Sequence, residues 1–195
     1  IIMQTRTESL RRNTADSSQR TVEVVWTTGA PVRRHHIDGY DVVPYEERLV
    51  VSDKAVDLSR LNAGAPVLDG HRAGGLADQL AVVERAWIAS GKGVALLRFP
   101  DAGTSARADE VFALIEQGII RNISVGYRHD EYTDEPATGA EDVAVRIVTR
   151  WQPHEISIVT IPADAGAQVR GGSVARSVVA RRVVLRQALA ARLAS

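Results

Sequence analysis

Short runs of alternating apolar and polar residues, each cut off by Gly, Pro or a cluster of charges, constrain this chain most. In RTVEVVWTTGAPVRR (residues 20–34), Val22, Val24 and Trp26 recur at every second position, the period of a strand with one buried face. Residues 35–57 hold shorter β-like runs (YDVVPYEERLVVS) interrupted by Pro and charge. ADQLAVVERAWIAS and VALLRFP flank Gly91-Lys92-Gly93, which predicts a hairpin turning at the glycines. IIRNISVGYRHDEY reads as a strong strand, followed by an acidic Gly- and Pro-containing loop, TDEPATGAED. VAVRIVTRWQ and HEISIVTIPAD then read as two further strands. Asp57 and Ser59 suit the cap of a short turn, and NAGAP after them is a loop signal. The clearest helical period is that of Val111, Leu114 and Ile115, with Ser105 as N-cap, Asp109 and Glu110 early, and Gly118 as the stop. Many short strands and few helices predict a mainly β (α+β) fold. A largely antiparallel barrel or strongly bent sheet is expected.

The ends differ from this core. Residues 1–19 are polar, lean basic and lack periodicity, so a flexible arm is expected there, with a folded domain over 20–170. A start at Ile1 suggests a fragment, a processed chain or an unusual gene model. Residues 171–195 carry five Arg and no acid, and Val174, Val178, Leu185 and Leu189 recur along them, which predicts an Arg/Ala-rich helical tail. Its solvated basic face and apolar stripe suit docking to a partner helix or to nucleic acid. Across the whole chain 24 basic residues balance 24 acidic ones, which argues against nucleic acid as the main partner and against an anionic membrane. No run of about 18 apolar residues is present, so no membrane span is expected.

The absence of Cys removes disulfides, thiolate catalysis and Cys-rich zinc sites. A nucleophile would therefore come from Ser, Thr, Lys or a carboxylate, with His as the usual base. Of the five histidines, His71 stands in PVLDGHR, between an apolar run and a Gly-rich turn, where a rigid scaffold can present a reactive group. The plainer alternative is a loop histidine bonded to Asp69. Ser124 lies within NISVGY; strand alternation groups it with Asn122 and Gly126 on a small, polar face opposite Ile123, Val125 and Tyr127. Gly126 beside it would leave room for a substrate backbone. The plainer alternative is a structural serine. Glu155 shares its strand face with Ser157, and an acid there needs a partner: Arg150 in a structural role, or a histidine it orients in a catalytic one. His35 and His36 are adjacent and point to opposite faces, and His129-Asp130-Glu131 lacks metal-site spacing, so no metal is expected. No GxxxxGK(S/T), GxGxxG or GxSxG motif is present, so no cofactor or nucleotide is expected, nor an α/β-hydrolase.

Taken in order, RTVEVVWTTGAPVRR, LNAGAPVLDGHR, AVVERAW, IIRNISVGY and WQPHEISIVTIPADAGAQV resemble the prohead (capsid maturation) protease family of tailed phages and prophages, over about residues 18–170. That family is similar to the herpesvirus assembly proteases. The resemblance implies a β-barrel with a few flanking helices, making residues 20–170 a prohead protease domain. It implies a serine endopeptidase with Ser124 as nucleophile, His71 as base and Glu155 as third member, with His154 or His129 as alternatives for that third place. Arg121, Arg128 and Arg72 are near enough in sequence to assist an oxyanion. Implied substrates are the scaffold, the major capsid protein and the chain's own tails, inside the assembling procapsid in the bacterial host cytoplasm, with self-association left open. Two rival readings are a non-enzymatic head-assembly or scaffolding protein, whose working part would be the tail, and a nucleic-acid binder.

Overall fold

The computed structural model describes residues 12–139 and 142–172. Residues 1–11 of the expected arm, and the expected helical tail beyond Gly172, lie outside the described residues. Along the chain run β1 (Arg12–Asn13), β2 (Thr21–Thr27), β3 (Val32–Asp38), β4 (Asp41–Leu49), the single helical turn α1 (Ser59–Asn62) and β5 (Pro66–Asp69). Next come β6 (Gln79–Ala89), β7 (Lys92–Arg98), helix α2 (Ala106–Glu116), β8 (Asn122–Glu135), β9 (Ala144–Val159) and β10 (Gly171–Gly172). Where the arm is described it is tied down: β1 pairs with β10, and Thr14 N–H donates to the Arg170 carbonyl at 2.8 Å.

The chain is mainly β. One sheet has the order β2-β7-β6-β5-β9-β4-β3, and β8 pairs with the other edge of β9. The sheet is largely antiparallel, as expected, but mixed, because β9 runs parallel to both β4 and β5. The closed barrel expected from sequence is not formed by the described strands, since none of them joins β2 to β8. Residues 167–170 cross that gap as irregular chain. Their backbone bonds Ile123 and Arg121 on one side and Val25 and Glu23 on the other.

The two strands expected at 143–152 and 154–164 are one, β9, which passes straight through Pro153. Proline cannot donate to a ladder, so it survives in a strand only where no donor is needed. Pro153 meets that condition. The register of β8 against β9 slips at Tyr127, and on the opposite edge Pro153 falls between the stretches paired to β4 and to β5.

The alternation of β2 buries Val22, Val24 and Trp26 completely. Trp26 meets Trp151 of β9 edge-on with ring centroids 5.7 Å apart. Gly93 lies under the Trp26 indole, where a Cβ would overlap the ring. Helix α2 covers one end of this core with Ala108, Val111, Phe112 and Ile115. Its start is fixed by the Ser105 hydroxyl, which accepts from Ala108 N–H at 3.3 Å, and its end by left-handed Gly118.

Candidate active site

The pairing of β8 with β9 builds the floor of the site. Antiparallel register sets Ser124 opposite Ser157 and Gly126 opposite Glu155, so the four share one face. The reverse face carries Ile123, Ile156 and Ile158 into the core, which fixes the register: a one-residue slip would bury the polar set. Gly126 leaves space, and the Glu155 side chain fills it; a Cβ there would overlap the carboxylate. The room expected for a substrate backbone is thus taken by the Glu155 side chain.

Above this floor stands the turn that follows β5. Parallel pairing aligns Leu68 with Ser157 and Asp69 with Ile158, so the chain leaves the sheet directly over Glu155 and Ser157. Gly70 and His71 both adopt left-handed backbone angles, φ +63° and +62°, and Arg72 N–H closes the turn on the Asp69 carbonyl at 3.3 Å. A non-glycine residue there costs on the order of 1 kcal/mol and persists only when its surroundings demand it. They do: His71 N–H donates to Ser157 Oγ at 3.1 Å, and His71 Nδ1 lies 2.7 Å from Glu155 Oε1. A carboxylate accepts, so Nδ1 is the donor in this contact, and in the neutral imidazole Nε2 is then the nitrogen with the free lone pair. The imidazole is 43% exposed and the carboxylate 14%. The alternative partner, Asp69, is engaged by Arg72 and Arg107 instead.

Ser124 opens on the same cleft as His71, together with Arg34, Glu47, Gly126, Tyr127, His129, Ile161 and Ala163. Its side chain forms no hydrogen bond to His71. Ser157 is fully buried, whereas Ser124 retains 9% exposure, so only Ser124 is reachable from the cleft.

A second polar group lines the cleft. Glu47 of β4, 3% exposed, accepts from Arg34 Nε at 3.3 Å and from the Tyr127 hydroxyl, and its other oxygen lies 2.8 Å from His129 Nε2. Arg34 also donates to the Tyr127 hydroxyl at 3.0 Å. Burial, reinforced by the Glu47 carboxylate, pushes the Tyr127 hydroxyl well above its ordinary range. A carboxylate taken out of water needs partners of this quality to be tolerated.

The remaining sequence candidates lie elsewhere. His129 is bound to Glu47, not to His71. His154 has a buried, unpartnered Nε2, and burial together with Arg60 and Arg128 holds it below the ordinary histidine value. Neither occupies the third position, where Glu155 stands. Arg72 pairs with Asp69, Arg128 with Asp130, and Arg121 bonds the Gly118 carbonyl, so none of the three lines the cleft. Arg34 does. Sequence reasoning missed Arg34 and Glu47, because a charge within a strand run reads as solvated; side chains of β8, Tyr127 and His129, meet the buried Glu47, and Tyr127 also meets the partly exposed Arg34.

Residues 95–181 match the family described as Caudovirus prohead serine protease. The family that this stretch matches is the one the sequence motifs resemble. Ser124 and Glu155 fall inside the matched stretch, and His71 precedes it. The chain is also 40% identical over 114 residues to the major capsid protein of Halomonas phage phiHAP-1, an alignment spanning 58% of this chain and 18% of that protein. This chain therefore corresponds to less than a fifth of that relative's length. No solved structure matches it.

Proposed function

We propose that this chain is a serine endopeptidase of phage head maturation, with Ser124 as nucleophile, His71 as general base and Glu155 as the acid that orients it. One observation carries the reading: the 2.7 Å contact between Glu155 and His71 Nδ1, beside a cleft that His71 shares with Ser124. The contact fixes the tautomer a base requires. As substrate enters, His71 Nε2 takes the Ser124 hydroxyl proton while Oγ attacks the peptide carbonyl, and the carbonyl π pair moves to oxygen. Collapse expels the amine, which receives the proton from His71. Water, activated by the same imidazole, then releases the new carboxyl terminus and restores Ser124. Glu155 stabilises the imidazolium in both halves without itself taking the proton.

The substrates in this reading are the major capsid protein, the scaffold and the chain's own ends, cut inside the assembling procapsid in the host cytoplasm. The family match and the capsid-protein relative support an association with capsid. The relative's name also favours a second reading, an assembly factor without catalysis. The two separate on one experiment. The chain is co-expressed with capsid and scaffold proteins, with Ser124 intact or replaced by Ala, and the products are sized by mass spectrometry. Endopeptidase action predicts cut chains that vanish with Ser124→Ala and with a serine-directed acylating agent. Cleavage undiminished by Ser124→Ala refutes the nucleophile, and no cleavage by either protein favours the assembly factor.

A further inference from the structure

The buried hydroxyl of Ser157 is left without a task by a scheme of nucleophile, base and acid. It is fully buried on the face that carries Glu155, directly across the ladder from Ser124. Its one proton goes to Glu155 Oε2 at 2.6 Å, and its lone pair receives the His71 backbone N–H at 3.1 Å. Both oxygens of Glu155 are then held, Oε1 by the imidazole and Oε2 by Ser157. The link to His71 is also double, to ring and to backbone. A ring of three residues results: carboxylate to imidazole, imidazole through its own backbone to hydroxyl, hydroxyl back to carboxylate.

We propose that Ser157 is a positioning residue for the reaction, one that locks the Glu155 carboxylate and the left-handed backbone of His71 to the same strand. The inference rests on the endopeptidase reading above. Its physical content is preorganisation. A carboxylate anchored by one oxygen can swing about its final torsion, and a non-glycine residue at φ +62° relaxes if its N–H loses its acceptor. Removing Ser157 Oγ releases both restraints together and leaves the His71 N–H without its acceptor. The imidazole then samples positions an ångström or more from productive geometry, an error large enough to cost about a hundredfold in rate. Ser157 is too buried to touch substrate, so substrate binding is left alone.

The test compares Ser157→Ala, Ser157→Cys and Ser157→Thr with the parent, whose activity is first shown to depend on Ser124. Cys nearly conserves volume but is a weak donor and acceptor, and serves even where the Ala variant does not fold; Thr retains the hydroxyl. The expected result is kcat lowered tenfold to a hundredfold for Ala and Cys, KM within about twofold of the parent, and kcat substantially restored by Thr. A folded Cys variant that cuts at the parental rate overturns the proposal, as does a loss confined to KM or one that Thr fails to relieve. A parent insensitive to Ser124→Ala is a different failure, that of the endopeptidase reading itself.

Discussion

Gly126 and Glu155 face each other across the β8–β9 ladder, and the missing side chain of the first is what lets the second lie over the strand. Replacing Gly126 by Ala puts a methyl group where the carboxylate now rests, and the flexible Glu155 is the partner that must yield. The fold is expected to absorb this at a cost of about 1–3 kcal/mol. The 2.7 Å contact with His71 Nδ1 is not expected to survive. Gly126→Ala should therefore lower the cleavage rate at least tenfold while the melting temperature drops only modestly, with calorimetry and peptide hydrolysis read on the same preparation. Unchanged hydrolysis would show that Glu155 can move without consequence. At this scale the sequence was informative in proportion to how local each cue was. The LDGHR, ISVGY and HEIS motifs named His71, Ser124 and Glu155. The faces of Ser124 and Glu155 followed from strand alternation alone. The partner of His71 did not: whether its ring met Asp69 or Glu155 depends on β5 lying parallel beside β9, a pairing between segments more than eighty residues apart that no local pattern encodes.

Among elements, the β6–β7 hairpin shows how far turn chemistry can be read. A hairpin around residue 91 was legible from two β-like runs and a glycine pair. The actual loop is Ser90-Gly91, one residue earlier than the Gly-Lys-Gly cue, and Ala89 pairs with Lys92. Gly93 belongs to the strand, reserved for the Trp26 indole above it. Both loop residues have positive φ, +51° at Ser90 and +70° at Gly91, as a two-residue turn matching strand twist requires. Ser carries a steric penalty there that Asn largely escapes. Ser90→Asn is accordingly expected to stabilise the domain by up to about 1 kcal/mol, read as a higher denaturant midpoint with unchanged slope. A midpoint that falls would mean that the serine is stabilised there by something other than its backbone conformation. Strand β9 misled in the opposite direction. Pro153 signals a break in any sequence reading, and only the gap between β4 and β5 on its edge makes it harmless.

For the molecule as a whole, the telling feature is where the sheet fails to close. A mainly β chain was legible from the number of strands, but closure depends on what lies between β2 and β8, and no periodicity in residues 167–170 marks them as the chain that crosses there. That stretch bonds outward on both sides: Ile123 N–H to Ala167 and Val169 N–H to Arg121 toward β8, Val25 N–H to Gln168 and Arg170 N–H to Glu23 toward β2. Ala167 is fully buried between them, and Asp164 just before accepts from the backbone and hydroxyl of Thr28 at 2.5 and 2.8 Å. Chain this irregular normally lies loose on a surface, yet here it shields the inner ends of two strands, one of which carries Ser124. Two truncations isolate the contribution of this crossing segment. Ending the chain after Gly172 keeps all four backbone bonds and is expected to leave the cooperative melt intact. Ending it after Gly166 exposes edge groups on β2 and β8 together and unplugs the core at Ala167. The loss of these four backbone bonds at about 1 kcal/mol each, together with the Thr14–Arg170 bond and the β1–β10 pairing, is a large fraction of a small domain's stability. The shorter chain should melt far lower, with amide exchange accelerated first at Val25 and Ile123. Equal stability of the two truncations would mean that β2 and β8 are held by the core alone, with the crossing chain merely lying against them.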